Sequence, residues 1–277
     1  MKKIIVKAPA KVNLTLEVLN KREDGFHNIQ SIMHTINLFD YLTIEVEFYE
    51  GIVIELSGNS TQIPYDASNL VYKACNLFLE YSQINNVKIK IYIEKNIPIS
   101  AGLAGGSTDA VATLKGLNEL FENVLDNQQM NEICAKLGSD LNFALVGGCC
   151  LCTSRGEVIE KLPNIKSSIS LVKPKQLGIS AKEAYQKCTQ RGYKQGLDYT
   201  SKMKQNILCG KNFDKTLIIN DLQKALVEDY KELSHIVEKC PNCLMTGSGS
   251  TFFVLEEKLP FEFNNDKYDI YENLELI

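Results

Sequence analysis

The order of strand-like and helix-like segments predicts an α+β protein. Residues 1–57 hold only β-patterned runs, and the strands and helices that follow do not alternate strictly. A glycine-rich stretch, PISAGLAGGSTDAVATLKGLN (98–118), lies between a strand-like and a helix-like segment. Strict strand–helix–strand alternation would instead predict a doubly wound parallel sheet.

The first strands are IIVKAPAKVNLTLEVL, SIMHTINLFDYLTIEVE and GIVIELSG, rich in β-branched and apolar residues and broken by turns such as KREDG. SNLVYKACNLFLEYSQ then reads as a helix capped by Ser68, with Leu70, Ala74, Leu77 and Tyr81 at helical spacing. VKIKIYIEK alternates, which puts Val87, Ile89, Ile91 and Ile93 on one face of a strand. After the glycine stretch a helix begins near Ser107 or Thr108, its apolar face marked by Val111, Leu114, Leu117 and Phe121. A shorter helix, NQQMNEICAKLG, stops at Gly138, and FALVGGCCLCTS reads as a strand. From about 155 to 170 the chain is polar and turn-rich. A soft boundary near 160 therefore divides the chain into domains 1–160 and 161–277. ISLVKPK opens the second with a strand, followed by helical patterns over 181–191 and 220–238 and a strand–turn–strand tail.

The 277 residues, 44% hydrophobic and 23% charged, are enough for one large domain or two smaller ones. A net charge of -4 gives no general attraction to nucleic acid or anionic membranes. MKKIIVKAPAKVNL is too polar for a signal peptide, and no apolar run has membrane-spanning length, so a cytoplasmic protein is expected. The nine cysteines are odd in number and widely scattered, which argues against a disulfide framework. Cys240-Pro-Asn-Cys243 is a lone pair without a second pair at zinc spacing, so ordinary thiols and no metal cluster are expected.

Glycines let a ligand approach the backbone, and a helix N-terminus offers unpaired N–H groups with partial positive charge. Gly105-Gly106-Ser107-Thr108 therefore fits a phosphate, with Ser107 and Thr108 as hydroxyl donors and Asp109 open to Mg²⁺ or a cap. The alternative is a flexible turn followed by a Ser/Thr N-cap. No lysine follows the glycines as a Walker A loop requires, and no dinucleotide fingerprint in a strand–helix–strand unit is evident.

Three further stretches accompany the loop: APAKVNLTLEV with Lys11 and Asn13, LGSDLNFAL with Asp140, and MTGSGSTFFV with a second glycine turn. Taken singly, Lys11 reads as a solvated strand lysine and Asp140 as a turn aspartate past a helix end. In the same way Asn69 reads as an early helix residue and His27 as a structural or solvated histidine. Together with the P-x-x-x-GL-x-GGS-x-D loop, the three stretches resemble the GHMP small-molecule kinases over nearly the whole chain. REDGFHNIQSIMHTINLFDYLTI (22–44), the triplet ending at Asp140 and the Gly156-Glu157 turn narrow the resemblance to the 4-diphosphocytidyl-2-C-methyl-D-erythritol kinase family.

The resemblance implies a ribosomal-protein-S5-like N-terminal domain and a ferredoxin-like C-terminal domain. It implies transfer of the ATP γ-phosphate to the 2-hydroxyl of the methylerythritol part of the substrate, within the methylerythritol phosphate route to isoprenoid precursors. Asp140 matches the catalytic base and Lys11 the lysine that keeps it ionised. Pro98 and Ala101, Gly102, Leu103, Ala104, Gly105, Gly106, Ser107 and Thr108 match the ATP-phosphate loop, with Ser107 as the Mg²⁺ contact. Asn69 and Lys95 match positions bordering adenosine. On the acceptor side, Asn13 orients the substrate, Phe26 and Tyr185 sandwich the cytosine and His27 reads its edge. Partners beyond the small substrate and ATP are not implied; a monomer and a homodimer both fit. Four positions depart from the family pattern: Ala104 for glycine, Asn142 for proline, Ala181 for threonine and Ser154 within a glycine-rich turn. The rival readings are a GHMP kinase for another acceptor, which would not keep Phe26, His27 and Tyr185, and a non-catalytic ATP binder, against which the intact Lys11 and Asp140 argue.

Overall fold

The computed structural model describes residues 1–192, 198–211, 214–260, 263 and 266–277. In chain order the elements are β1 (Lys2–Asn13), β2 (Thr15–Lys21), β3 (His27–Glu47), β4 (Ile52–Gly58), α1 (Leu70–Ser82), β5 (Val87–Glu94), α2 (Gly105–Leu120), α3 (Asn127–Leu137) and α4 (Ser139–Val146). There follow β6 (Cys149–Ser154), β7 (Val158–Lys161), β8 (Ser168–Pro174), α5 (Ala181–Arg191), α6 (Tyr199–Leu208), β9 (Ile219–Asn220), α7 (Asp221–Leu226), α8 (Lys231–Lys239), β10 (Leu244–Met245), β11 (Phe252–Leu255) and β12 (Tyr268–Glu275). The α+β class holds. Among the described residues no helix is long and apolar enough to cross a membrane.

Two compact units emerge, each built from three chain segments. One comprises Met1–Ala10, Leu38–Ile99 and Ala104–Val146; the other Lys11–Asn37, Ser100–Leu103 and Gly147–Ile277. The compositional boundary near 160 lies inside the last segment of the second unit.

In the first unit β5 pairs in parallel with β4 and antiparallel with Tyr41–Glu47 of β3. The alternation of β5 sends Val87, Ile89, Ile91 and Ile93 inward, where they meet Leu42, Ile44 and the inner faces of α1 and α2. Burying each such side chain stabilises the fold by about 1.5–3 kcal/mol before entropy is counted. The buried stripe of α1 is Val71, Ala74, Cys75, Phe78 and Leu79, with Leu70, Leu77 and Tyr81 at its margin.

In the second unit β3 pairs antiparallel through His27–Gln30 with β2 and through Ile29–His34 with β6. A separate antiparallel sheet runs β10-β11-β8-β12. Its core joins Val172, Phe252 and Val254 with Ala184, Leu222, Leu226, Leu233 and Ile236 from α5, α7 and α8.

Several local expectations are corrected. Asn69, not Ser68, caps α1: its side-chain oxygen accepts from Val71 N–H at 2.9 Å, while Ser68 donates to Asp66. The helix after the glycine loop starts at Gly105, because the Ala104 carbonyl already accepts from Ser107 and Thr108 N–H. Residues 143–146 belong to α4 rather than to a strand, and Gly147 and Gly148 at φ +66° and +70° turn the chain into β6. A short apolar run does not distinguish the two by period. The pattern over 220–238 is split by a 3₁₀ turn at Val227–Asp229, and α6 was not anticipated. Cys240 and Cys243 form a disulfide, where two thiols were expected.

Candidate active site

Lys11 and Asn13 end β1, two residues apart on one face of the strand. Both are buried, at 3% and 1% exposure. Lys11 Nζ donates to Asn13 Oδ1 at 2.6 Å, Asn13 Nδ2 donates to Ser31 Oγ at 2.8 Å, and Asn13 N–H donates to Thr246 Oγ1 at 2.9 Å. Thr246 opens the TGSGST turn, whose Gly247 sits at φ +54°. A Cβ on Gly247 would stand 3.2 Å from Lys11 Nζ.

The 100–103 piece of the glycine loop rests on the same turn. Gly102, at φ +74°, approaches so closely that a Cβ would meet Thr246 O at 2.1 Å. Lys11 N–H donates to Leu103 O at 3.2 Å, and Thr251 N–H to Ala101 O at 3.3 Å. Ala101 and Leu103 have buried side chains, so they serve the loop through their backbone. Three motifs far apart in sequence thus meet in one unit. Thr246 and Ser31 are the residues the sequence reading missed; the TGSGST motif was the signal for Thr246.

In the other unit α2 begins at Gly105 with Ala104 as its N-cap, and Ala104 makes no side-chain cap. Helices α1, α3, α5 and α7 are capped by Asn69, Asp126, Ser180 and Asn220. The Thr108 hydroxyl is turned inward, donating to Gly105 O at 3.0 Å, so it is no cap. Gly106 is exposed with nothing closer than 3.9 Å to a Cβ built on it, and the half-buried Ser107 follows. An uncapped N-terminus with open space above it can take an anion. Ala104 adopts φ +58°, the left-handed region in which the departure from glycine carries strain.

Asp140 lies in the first turn of α4, one residue past its start, and is half-buried. A carboxylate there is favoured by the helix dipole. Asn69, besides capping α1, donates to Pro64 O at 2.6 Å. The Lys95 side chain is only 6% exposed, its ammonium ion-paired with Asp40 and, at 2.7 Å, with Asp109. Burial works against its charge, but Asp109 and Asp40 outweigh it and hold the ammonium charged. Burial, aided by Asp40 and opposed by Lys95, pushes Asp109 up to about 7. Asp109 Oδ2 accepts from Lys95 Nζ and its Oδ1 has no hydrogen-bond partner among the described residues, so Asp109 caps nothing.

His27 and Tyr185 come together in the second unit, rings stacked 5.0 Å apart at 20°. His27 Nε2 lies 2.8 Å from the Thr189 hydroxyl, one turn after Tyr185 on α5, and Thr189 Oγ1 donates to Tyr185 O. Burial, with the charge of Lys21, lowers the His27 pKa. Phe26 is half-exposed with the Arg155 guanidinium 4.9 Å over its ring.

Comparison with known proteins decides the assignment. The chain is 41% identical over 270 residues to the 4-diphosphocytidyl-2-C-methyl-D-erythritol kinase of Prochlorococcus marinus (strain MIT 9215), covering 92% of this chain and 86% of that protein. The chain belongs to the 4-diphosphocytidyl-2-C-methyl-D-erythritol kinase family. The Clostridium tetani member is 38% identical over 257 residues, covering 90% of this chain and 89% of its own. The GHMP kinases N terminal domain matches residues 69–148. A crystal structure of 4-(cytidine 5'-diphospho)-2C-methyl-D-erythritol kinase superposes with a TM-score of 0.75 at 28% identity, covering 92% of this chain and 90% of that one. Homoserine kinase from Cytophaga hutchinsonii, at 18% identity and a TM-score of 0.73, covering 100% and 96% of the two chains, shares the fold. The family assignment makes the chain an ATP-dependent kinase of two-domain GHMP fold.

Proposed function

We propose that this kinase transfers the γ-phosphoryl group of ATP to the 2-hydroxyl of the methylerythritol part of 4-diphosphocytidyl-2-C-methyl-D-erythritol, the compound that the names of its relatives carry. The observation that carries the reading is the convergence of Lys11, Asn13, the 101–103 backbone and the TGSGST turn.

Phosphoryl transfer needs alignment and charge neutralisation more than covalent chemistry. The uncapped N-terminus of α2 and the glycine loop receive the phosphates, with Asn69 and Lys95 bordering the adenosine side. Asp140 takes the proton of the attacking hydroxyl, and Lys11 stabilises charge in the transition state. Asn13 holds the Lys11 ammonium in one orientation. Phe26, His27 and Tyr185 form the cytosine shelf. The Ser107 hydroxyl, a hard oxygen donor half-open at the first turn of α2, fits Mg²⁺, which when bound supplies charge neutralisation between phosphates. The enzyme works in the cytoplasm as a monomer or homodimer on small soluble substrates.

The test is ADP release by purified protein with Mg-ATP and the diphosphocytidyl acceptor, against homoserine, mevalonate and a blank. Release with the cytidyl compound alone is the expected result. Turnover only on a control acceptor overturns the cytosine shelf and leaves the Asp140 chemistry standing.

A further inference from the structure

The approach to the glycine loop is tied down with unusual density. The Lys95 backbone is held from both sides by one amide: its N–H donates to Asn59 Oδ1 at 2.8 Å, and its carbonyl accepts from Asn59 Nδ2 at 3.3 Å. Asp40 Oδ1 accepts the next two N–H groups, from Asn96 at 2.6 Å and Ile97 at 2.8 Å. The other oxygen of Asp40 accepts from the Lys95 ammonium.

That ammonium then crosses the loop. It reaches Asp109 Oδ2 at 2.7 Å on the far flank, fourteen residues on. On the way it passes beneath the first residue of α2, where a Cβ on Gly105 would stand 3.2 Å from Lys95 Nζ. A cation under a helix N-terminus opposes the helix dipole, so the arrangement needs nearby negative charge. Two carboxylates supply it, and their side chains are at most 4% exposed.

Asp109 is a poor choice for stability alone. Its Oδ1 is buried without a hydrogen-bond partner among the described residues. A buried acceptor left unmatched costs desolvation energy that no bond returns. Replacing a buried ion pair with apolar side chains of similar volume is often neutral or stabilising. Locally unfavourable polar groups of this kind are expected where function requires them.

We propose that Asp40 and Asp109 are positioning residues for nucleotide binding, acting through Lys95 as a clamp that joins the two flanks of the phosphate loop and sets the N-terminus of α2. This rests on the reading of the loop as the ATP-phosphate cradle. Between the flanks, residues 98–108 are mostly small and offer few side chains of their own to fix their path. The clamp supplies that order before the nucleotide arrives, which lowers the ordering cost of binding.

The test uses the full chain: calorimetric titration with Mg²⁺ and a non-hydrolysable ATP analogue reads nucleotide binding, and steady-state kinetics reads KM for ATP and for the acceptor. Asp109→Asn keeps the size of the side chain and removes the ion pair. Lys95→Met with Asp40→Asn and Asp109→Leu removes all three charges together and leaves no buried ion unpaired. The expected result is analogue binding weakened about tenfold or more in each variant, with an unchanged KM for the acceptor. Binding equal to wild type in a folded variant overturns the clamp. So does a lowered Tm with both KM values raised together, the signature of a purely structural role. Wild-type protein that fails to bind the analogue also overturns it. Wild-type protein that binds the analogue but phosphorylates none of the acceptors defeats the acceptor assignment, while the variant affinities still decide the clamp.

Discussion

Lys11 Nζ donates to Asn13 Oδ1 at 2.6 Å, two positions along one strand and on its same face. The Asn13 amide is itself oriented, because its nitrogen donates to Ser31 Oγ. Asn13→Leu keeps the branched shape and removes both the acceptor that orients the ammonium and the donor to Ser31. The expected outcome is a kcat about tenfold lower or more, with nucleotide affinity little changed. A wild-type kcat in this variant would remove Asn13 from the chemistry.

Asp140→Asn tests the base. Its place in the first turn of a regular helix lets the amide occupy the same position without refolding. Turnover is expected to fall by roughly 10²–10⁴ while the ATP analogue still binds. Steady-state kinetics beside calorimetry separate the two effects, and near-normal turnover defeats the role.

The glycine loop makes opposite demands at two neighbouring positions. Gly102→Ala puts a Cβ 2.1 Å from Thr246 O at φ +74°, so urea denaturation should show a loss of roughly 2–4 kcal/mol. Ala104→Gly relieves a left-handed alanine at φ +58° and should gain about 1 kcal/mol. A neutral Gly102→Ala would mean that the loop and the TGSGST turn separate readily.

Tyr185→Ala removes the ring stacked on His27. KM for the cytidyl acceptor should rise about tenfold, the worth of one base–aromatic stack, with KM for ATP nearly constant. Equal changes in both KM values would argue against a stacking role.

His34 predicts a pH dependence. It is fully buried, its Nδ1–H donates to Thr35 O at 2.9 Å, and its Nε2 accepts from Ile165 N–H at 3.1 Å. Both ring nitrogens are thus committed to the neutral form, and burial lowers the pKa from 6.5 to about 4. The unfolded chain therefore binds the extra proton across that window, so stability falls as pH drops from 6.5 through 4. The loss should reach about 3 kcal/mol. Denaturation between pH 4 and 7 should show a shallower slope for His34→Gln than for wild type; identical slopes would refute the assignment.

Local pattern carried much of this molecule. The alternation of β5, the stop of α3 at Gly138 and the helical period after the glycine loop were legible because each depends on neighbours a few residues apart. The motifs around Lys11, Asp140 and the loop were legible for the same reason, as short strings of residue types. Cap positions were less so. Ser68 and Asn69 are both good N-caps, and the choice fell to Asn69 once Asp66 engaged Ser68.

By itself the sequence determined the α+β class, most of the regular elements though not α6 or the end of α4, and the family to which the chain belongs. Only the tertiary structure decided which side chains those elements hold in place. Lys95 meets Asp40 across 55 positions, and Asn13 meets Thr246 across 233. The bond between the Cys240 and Cys243 pair and the inward turn of the Thr108 hydroxyl were likewise not decided by pattern. Periodicity reports which face of an element is buried, because burial repeats with the helix or strand. It carries no information about which distant polar group completes a buried charge, since that depends on how the elements pack.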